Sequence, residues 1–128
     1  MEVIKFWEEE GTKIPQPYER EIKVFLAPDK RDVPEILFTQ AIIAPYSKTD
    51  YHKHDRPELI IVLSGEGTAV CEDEKTGIKP EMALWVRKNE MHQVINDNDS
   101  VLKLATVFVP PYTSEVLIKN IRSALKTK

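Results

Sequence analysis

The sequence predicts an all-β protein, an antiparallel sandwich or barrel, closed by one short C-terminal helix. Three observations lead there. Short β-branched and aromatic runs recur at regular spacing between residues 20 and 109. Glycine, proline and Asn/Asp clusters punctuate them. After Ser114 the apolar spacing changes to a helical one, with Leu117, Ile121 and Leu125 in step.

Taken in order, residues 1–19 carry no clear period, and Pro15 and Pro17 exclude a long helix after Gly11. Arg20 to Leu26 alternates and reads as a strand, followed by a charged loop from Pro28 to Pro34. Ile36 to Ala44 is a strand stopped by Pro45. Leu59 to Leu63 runs into Ser64-Gly65-Glu66-Gly67, a hairpin by its glycines, with Thr68 to Asp73 as the returning partner. Lys75-Thr76-Gly77 reads as a turn, Met82 to Val86 as a strand, and Arg87 to Met91 as a loop. His92 to Asn96 and Val101 to Val109 are the last strands. Ser114 serves as N-cap and Glu115 suits the first turn of the helix. The 128 residues suit one domain: an N-terminal strand and loops over 1–35, a barrel core over about 36–109, and a helix over 114–126.

The chain is 41% hydrophobic and 30% charged, with a net charge of -3, which is globular composition. No basic patch suggests a nucleic-acid partner, and Lys119, Arg122 and Lys126 read as a solvated helix face. No apolar run is long enough for a membrane helix, and the start of the chain lacks a signal-peptide pattern. Cys71 is the single cysteine, so no intrachain disulfide can form, and a cytoplasmic protein is expected. Cys71 reads as a buried inert thiol, and Trp85 and Phe108 as core.

All three histidines fall in one pattern, His52, His54 and His92, joined by Glu58. On a strand, residues 52 and 54 share a face. Three imidazoles and a carboxylate are a ligand set for one divalent transition metal ion, and a five- or six-coordinate ion would keep positions open for chemistry. Unrelated histidines would have no reason to fall together with a glutamate in this way.

The segment His52-x-His54-x3-Glu58-x6-Gly65 resembles the first motif of the cupin superfamily. The second motif of that family has a glycine, a proline, a glycine, a histidine and an asparagine. Those positions fall here on Glu81, Arg87, Asn89, His92 and Asn96, and the glycine that opens the first motif falls on Tyr46. The last two agree with the family. Asn89 can take the left-handed conformation that glycine supplies. The resemblance covers roughly residues 36–109 and implies a small double-stranded antiparallel β-helix, a jelly-roll barrel. It also implies a metal inside, usually iron, manganese, nickel, zinc or copper.

Around these ligands, Tyr46 is a candidate general acid or base, whereas Tyr51 has the opposite parity to His52 and is expected to face away. Arg87, Gln40, Asn96 and Thr106 are candidate substrate-binding groups. Two functions follow. One is a metalloenzyme for a small oxygen-chelating substrate, of dioxygenase, decarboxylase, isomerase or lyase type. The other is a non-catalytic metal-dependent module that binds a small molecule. The run Leu59 to Leu63 does not alternate, so both its faces are expected to be covered, which motivates a homodimer.

Overall fold

The computed structural model describes residues 1–126. Among these, the strands are β1 (Thr12–Ile14), β2 (Arg20–Leu26), β3 (Leu37–Ile43), β4 (Glu58–Ser64), β5 (Gly67–Cys71), β6 (Glu74–Ile78), β7 (Ala83–Val86), β8 (His92–Ile95) and β9 (Leu102–Phe108). They form two antiparallel sheets, ordered β1-β2-β3-β9-β4-β7 and β6-β5-β8. One helix, α1 (Ser114–Ser123), follows β9. The expected all-β jelly-roll architecture with a C-terminal helix is what the chain adopts. No helix among the described residues is long and apolar enough to cross a membrane.

Side-chain alternation builds the interior. Leu37, Thr39, Ala41 and Ile43 of β3 stand opposite Phe108, Thr106, Leu104 and Leu102 of β9. Ile60 and Val62 of β4 continue those rows, and all of these side chains are buried. On the far side of the larger sheet, Phe6 stacks on Phe25 with ring centroids 4.1 Å apart, which anchors the N-terminal segment.

Five local expectations need correction. The run 59–63 does not fold back on residues 68–73 as a hairpin. β4 pairs with β7 and β9, whereas β5 pairs with β6 and β8, so Gly65 to Gly67 carries the chain from one sheet to the other. Gly65 sits at φ 83°, and a Cβ there would run into the Val101 carbonyl, so the crossing requires glycine. Lys75-Thr76-Gly77 is strand β6, and the turn before it falls on Glu72-Asp73, with Glu72 at φ 51°. The N-cap of α1 is Thr113, whose side-chain oxygen accepts from the Val116 N–H, and Ser114 is the first helical residue. Trp85 is 54% exposed on β7, while Phe108 is buried as expected. Cys71 is only partly buried, and that burial raises its thiol pKa.

Helix α1 roofs the space between the sheets. The Asp29 carboxylate accepts from the Ser114 N–H (2.7 Å), the Ser114 hydroxyl (2.6 Å) and the Glu115 N–H (3.3 Å). At the other end of the connection, the Arg56 guanidinium lies 3.8 Å from the centre of the Tyr112 ring and donates to the Pro111 carbonyl at 2.8 Å. The Tyr112 hydroxyl in turn donates to Asp55 at 3.0 Å. The helix is thereby tied to the segment that carries the histidines.

Candidate metal centre

His52 and His92 face one another as an isolated antiparallel bridge. The His52 N–H donates to the His92 carbonyl at 3.0 Å, and the His92 N–H donates back at 2.8 Å. His54 follows in an irregular loop, where its carbonyl accepts from the Asn89 N–H at 2.8 Å. Glu58 opens β4, opposite Val86 and Phe108. The ring centroids are 4.5 Å (His52 to His92), 4.8 Å (His54 to His92) and 5.4 Å (His52 to His54) apart.

Backbone carbonyls set the chemistry of these rings. Nδ1 of His52 lies 2.8 Å from the Asp50 carbonyl, Nδ1 of His54 2.9 Å from the Arg56 carbonyl, and Nδ1 of His92 2.9 Å from the Glu90 carbonyl. A carbonyl only accepts, so Nδ1 carries the proton, and Nε2 of each neutral ring presents a lone pair. Glu58 Oε1 sits 3.0 Å from His54 Nε2 and 3.4 Å from His92 Nε2. Lone pairs of imidazole repel a carboxylate oxygen at that range unless a cation lies among them. Ligands about 2.1 Å from a common ion, at angles between about 90° and 110°, are about 3.0–3.4 Å apart. The donor atoms of the three histidines lie within 4.8 Å of one another, a cluster that can hold a metal ion. The residues present therefore fit a divalent transition metal by donor type and tautomer, and Glu58 fits also by its separation from His54 and His92.

Electrostatics agree with that fit. Burial works to raise the Glu58 pKa, but the adjoining His54 and His92 rings outweigh it and hold the carboxyl below the usual range, so it is ionised. Burial works to lower His92, and the adjoining Glu58 carboxylate reverses this to a net rise. His52 is lowered, first by burial and then by His92 beside it.

The centre opens into a cavity of about 750 Å³ between the sheets and under α1. Thr106 lines it, as expected for an inward group, and its hydroxyl hydrogen-bonds that of Thr39 across β3 and β9. The other candidates stand elsewhere. Gln40 pairs with Lys23 and Ala105 and takes the opposite face of β3 from Thr39 and Ala41. Asn96 is fully buried outside the cavity, with its amide donating to the carbonyls of Ile43, Ala44 and Ser100. Arg87 is exposed at the end of β7, and Tyr46 is 74% exposed, so neither lines the cavity. Tyr51 is exposed at the rim, its hydroxyl turned towards the Glu72 carbonyl. Tyr18, Arg20 and Asp50 are among the cavity groups that escaped the sequence reading. A signal for Arg20 was present, since it shares the strand parity of Ile22 and Val24.

The chain is thus a small antiparallel barrel with three histidines and a carboxylate gathered on its cavity. The cupin domain profile matches residues 40–109, more than half of the chain, and the protein belongs to that family. A predicted oxalate decarboxylase from Thermotoga maritima has a similar structure, with a TM-score of 0.76, 22% identity, and coverage of 84% of this chain and 97% of that one. The polyketide cyclase RemF from Streptomyces resistomycificus aligns with a TM-score of 0.75 at 17% identity over 84% of this chain and 78% of that one. Ectoine synthase from P. lautus aligns with a TM-score of 0.75 at 21% identity over 94% and 86%. At these identities the likeness concerns the fold. A search of curated proteins found no match.

Proposed function

We propose that this cupin is a metal-dependent enzyme acting on a small substrate that chelates through oxygen. The observation behind this reading is the convergence of three carbonyl-locked imidazoles and the ionised Glu58 on one point of the cavity. His52, His54 and His92 through Nε2, with Glu58 through a carboxylate oxygen, would hold one ion of iron, manganese, nickel, zinc or copper. Such an ion supplies Lewis acidity or a site for oxygen when bound. The protein's own part is to fix the rings, to exclude water with Phe108, Val94 and the roof of α1, and to orient the substrate. Solved relatives that are a cyclase and a synthase support catalysis, of dioxygenase, decarboxylase, isomerase or lyase type. Tyr46, Arg87, Gln40 and Asn96 have no part in this proposal, because none lines the cavity.

A second reading, a non-catalytic module that binds a small molecule, is favoured by the apolar depth of the cavity, where Ile22, Ala41, Ile60 and Leu104 form the wall. Metal analysis of anaerobically purified protein, followed by turnover assays over the four reaction types, separates the two. The enzyme predicts one ion per chain and turnover in one type. Stoichiometric metal, no turnover and tight binding of an unaltered small molecule would favour the module.

We further infer a homodimer in the cytoplasm, without nucleic-acid or membrane partners, in which residues 1–128 act as one cupin unit. Trp85 stands exposed beside Leu59 on the outer face of β4 and β7, with half-buried Ile61 and exposed Leu63 along the same face. An apolar face of this kind favours a protein partner. Light scattering at micromolar concentration should give twice the chain mass, and Trp85→Glu should give the single mass. A single mass for the unmodified protein would contradict pairing.

A further inference from the structure

Among the described residues, the wall of the cavity holds one buried cation, which the metal centre does not use. Arg20 projects from the start of β2, and its side chain is only 4% exposed. Its Nη1 donates to the Tyr18 carbonyl at 3.0 Å, and its Nη2 lies 3.8 Å from the Asp50 carboxylate. A charge-assisted N–H···O bond is about 2.7–2.9 Å long, so the contact with Asp50 is loose. A guanidinium carries five N–H donors, and among the described residues the Tyr18 carbonyl is the acceptor within hydrogen-bond range. Burial lowers the Arg20 pKa, and Asp50 works against that. An arginine stays charged in any case, and a buried charge needs a counter-charge, which Asp50 supplies at a loose 3.8 Å.

Placement and charge say which ligand. Asp50 also lies 3.5 Å from His52 Nδ1, so a single carboxylate spans the gap between the guanidinium and the first histidine. Inside the cavity, Asp50 and Glu58 contribute two negative charges and Arg20 one positive. A divalent ion at the histidines turns that sum from one negative to one positive. Lys53 and Asp55 at the rim are exposed and opposite in sign. The filled centre thus carries a net positive charge with a planar bidentate donor on the wall, which is what a carboxylate fits.

We propose that Arg20 is the anion-binding residue of this cavity, and that the ligand is a small acid with an oxygen donor at the histidines and a carboxylate on the guanidinium. This rests on the metal-dependent reading above and names the substrate class for it. Asp50 holds the guanidinium in place and yields when the acid binds.

Titration calorimetry of zinc-loaded protein with succinate, and with succinamide, in which both carboxylates are amides, tests the assignment. Arg20→Gln should weaken succinate binding at least tenfold and leave succinamide binding, however weak, within about twofold of the unmodified protein. Arg20→Lys should recover part of the loss. Asp50→Asn, which removes the competing anion, should tighten succinate binding several-fold and keeps the test available if Arg20→Gln does not fold. The proposal is overturned by equal succinate binding in a folded Arg20→Gln protein, by Asp50→Asn binding that is no tighter, or by no succinate binding to the unmodified protein at millimolar concentration. Zinc stoichiometry is measured in parallel. Failure to bind zinc contradicts the metal reading, and the role of Arg20 is then read from the same variants with succinate on the metal-free protein.

Discussion

Each imidazole of the centre has its proton placed by a carbonyl two residues away, so the loss of any ring removes a pre-set Nε2 rather than an adaptable one. His52→Ala, His54→Ala and His92→Ala should each weaken zinc binding at least a hundredfold in a chelator competition, beyond the roughly 10–100-fold typical of groups that merely orient ligands. Asn96 behaves differently. Its amide ties the end of β3 to the β8–β9 connection, and Asn96→Ala should cost about 2–4 kcal/mol in urea unfolding while metal stoichiometry stays the same. A parallel loss of metal would count against that division of labour. The histidine set was legible because every histidine in the chain belongs to it, with a glutamate at a fixed interval. Gln40 was misplaced because the run 36–44 is apolar or β-branched at nearly every position, which hides its parity. Arg20 escaped although it stands in step with Ile22 and Val24, because an arginine at a strand start reads equally as a solvated end.

At the scale of elements, three of the four positions where this chain departs from the family motif take a positive φ. Tyr46, Glu81 and Asn89 stand at φ 58°, 75° and 66°, the left-handed region that glycine enters without strain. Glu81→Gly should therefore stabilise the protein by about 0.5–1 kcal/mol, the relief of a strained side chain less the added freedom of the unfolded chain. Thermal unfolding that shows a loss instead would mean that the Glu81 side chain makes contacts worth more than the strain. Helix α1 offers a pH test. Burial works to raise the Asp29 carboxyl, and bonds from Ser114 and Glu115 outweigh it, so its pKa is lowered. A lowered carboxyl adds stability that is present above the unfolded value of about 3.9 and is lost as pH falls through the folded one. Asp29→Asn should reproduce that loss at neutral pH, about 0.5–1 kcal/mol for an exposed cap, seen as faster amide exchange in α1. The same exchange in both proteins at pH 7 would remove Asp29 as the tether. The helix itself was legible from its 3.6-residue spacing, but its partner was not, because Asp29 comes from a loop far away in sequence. The glycines at 65 and 67 announced a turn without saying that the chain changes sheets there, since that depends on packing against Val101 and Ile95.

At the scale of the molecule, two sheets and one helix enclose a cavity whose single polar end carries the histidines. β8 and the 47–52 segment bring His92 to His52, β4 brings Glu58, and β2 brings Arg20 to the wall between them. This closure is a tertiary property, so the sequence alone could name the ligands without the wall that faces them. Everything proposed for the function depends on one ion bound by those ligands. The most direct measurement is a crystal structure of the protein as purified, with anomalous diffraction collected across the absorption edges of iron, manganese, nickel, zinc and copper. The account predicts one anomalous peak about 2.0–2.2 Å from Nε2 of His52, His54 and His92 and from a carboxylate oxygen of Glu58. A peak bound through Nδ1, a peak at other residues, or none at this centre in protein supplied with the metals would contradict it.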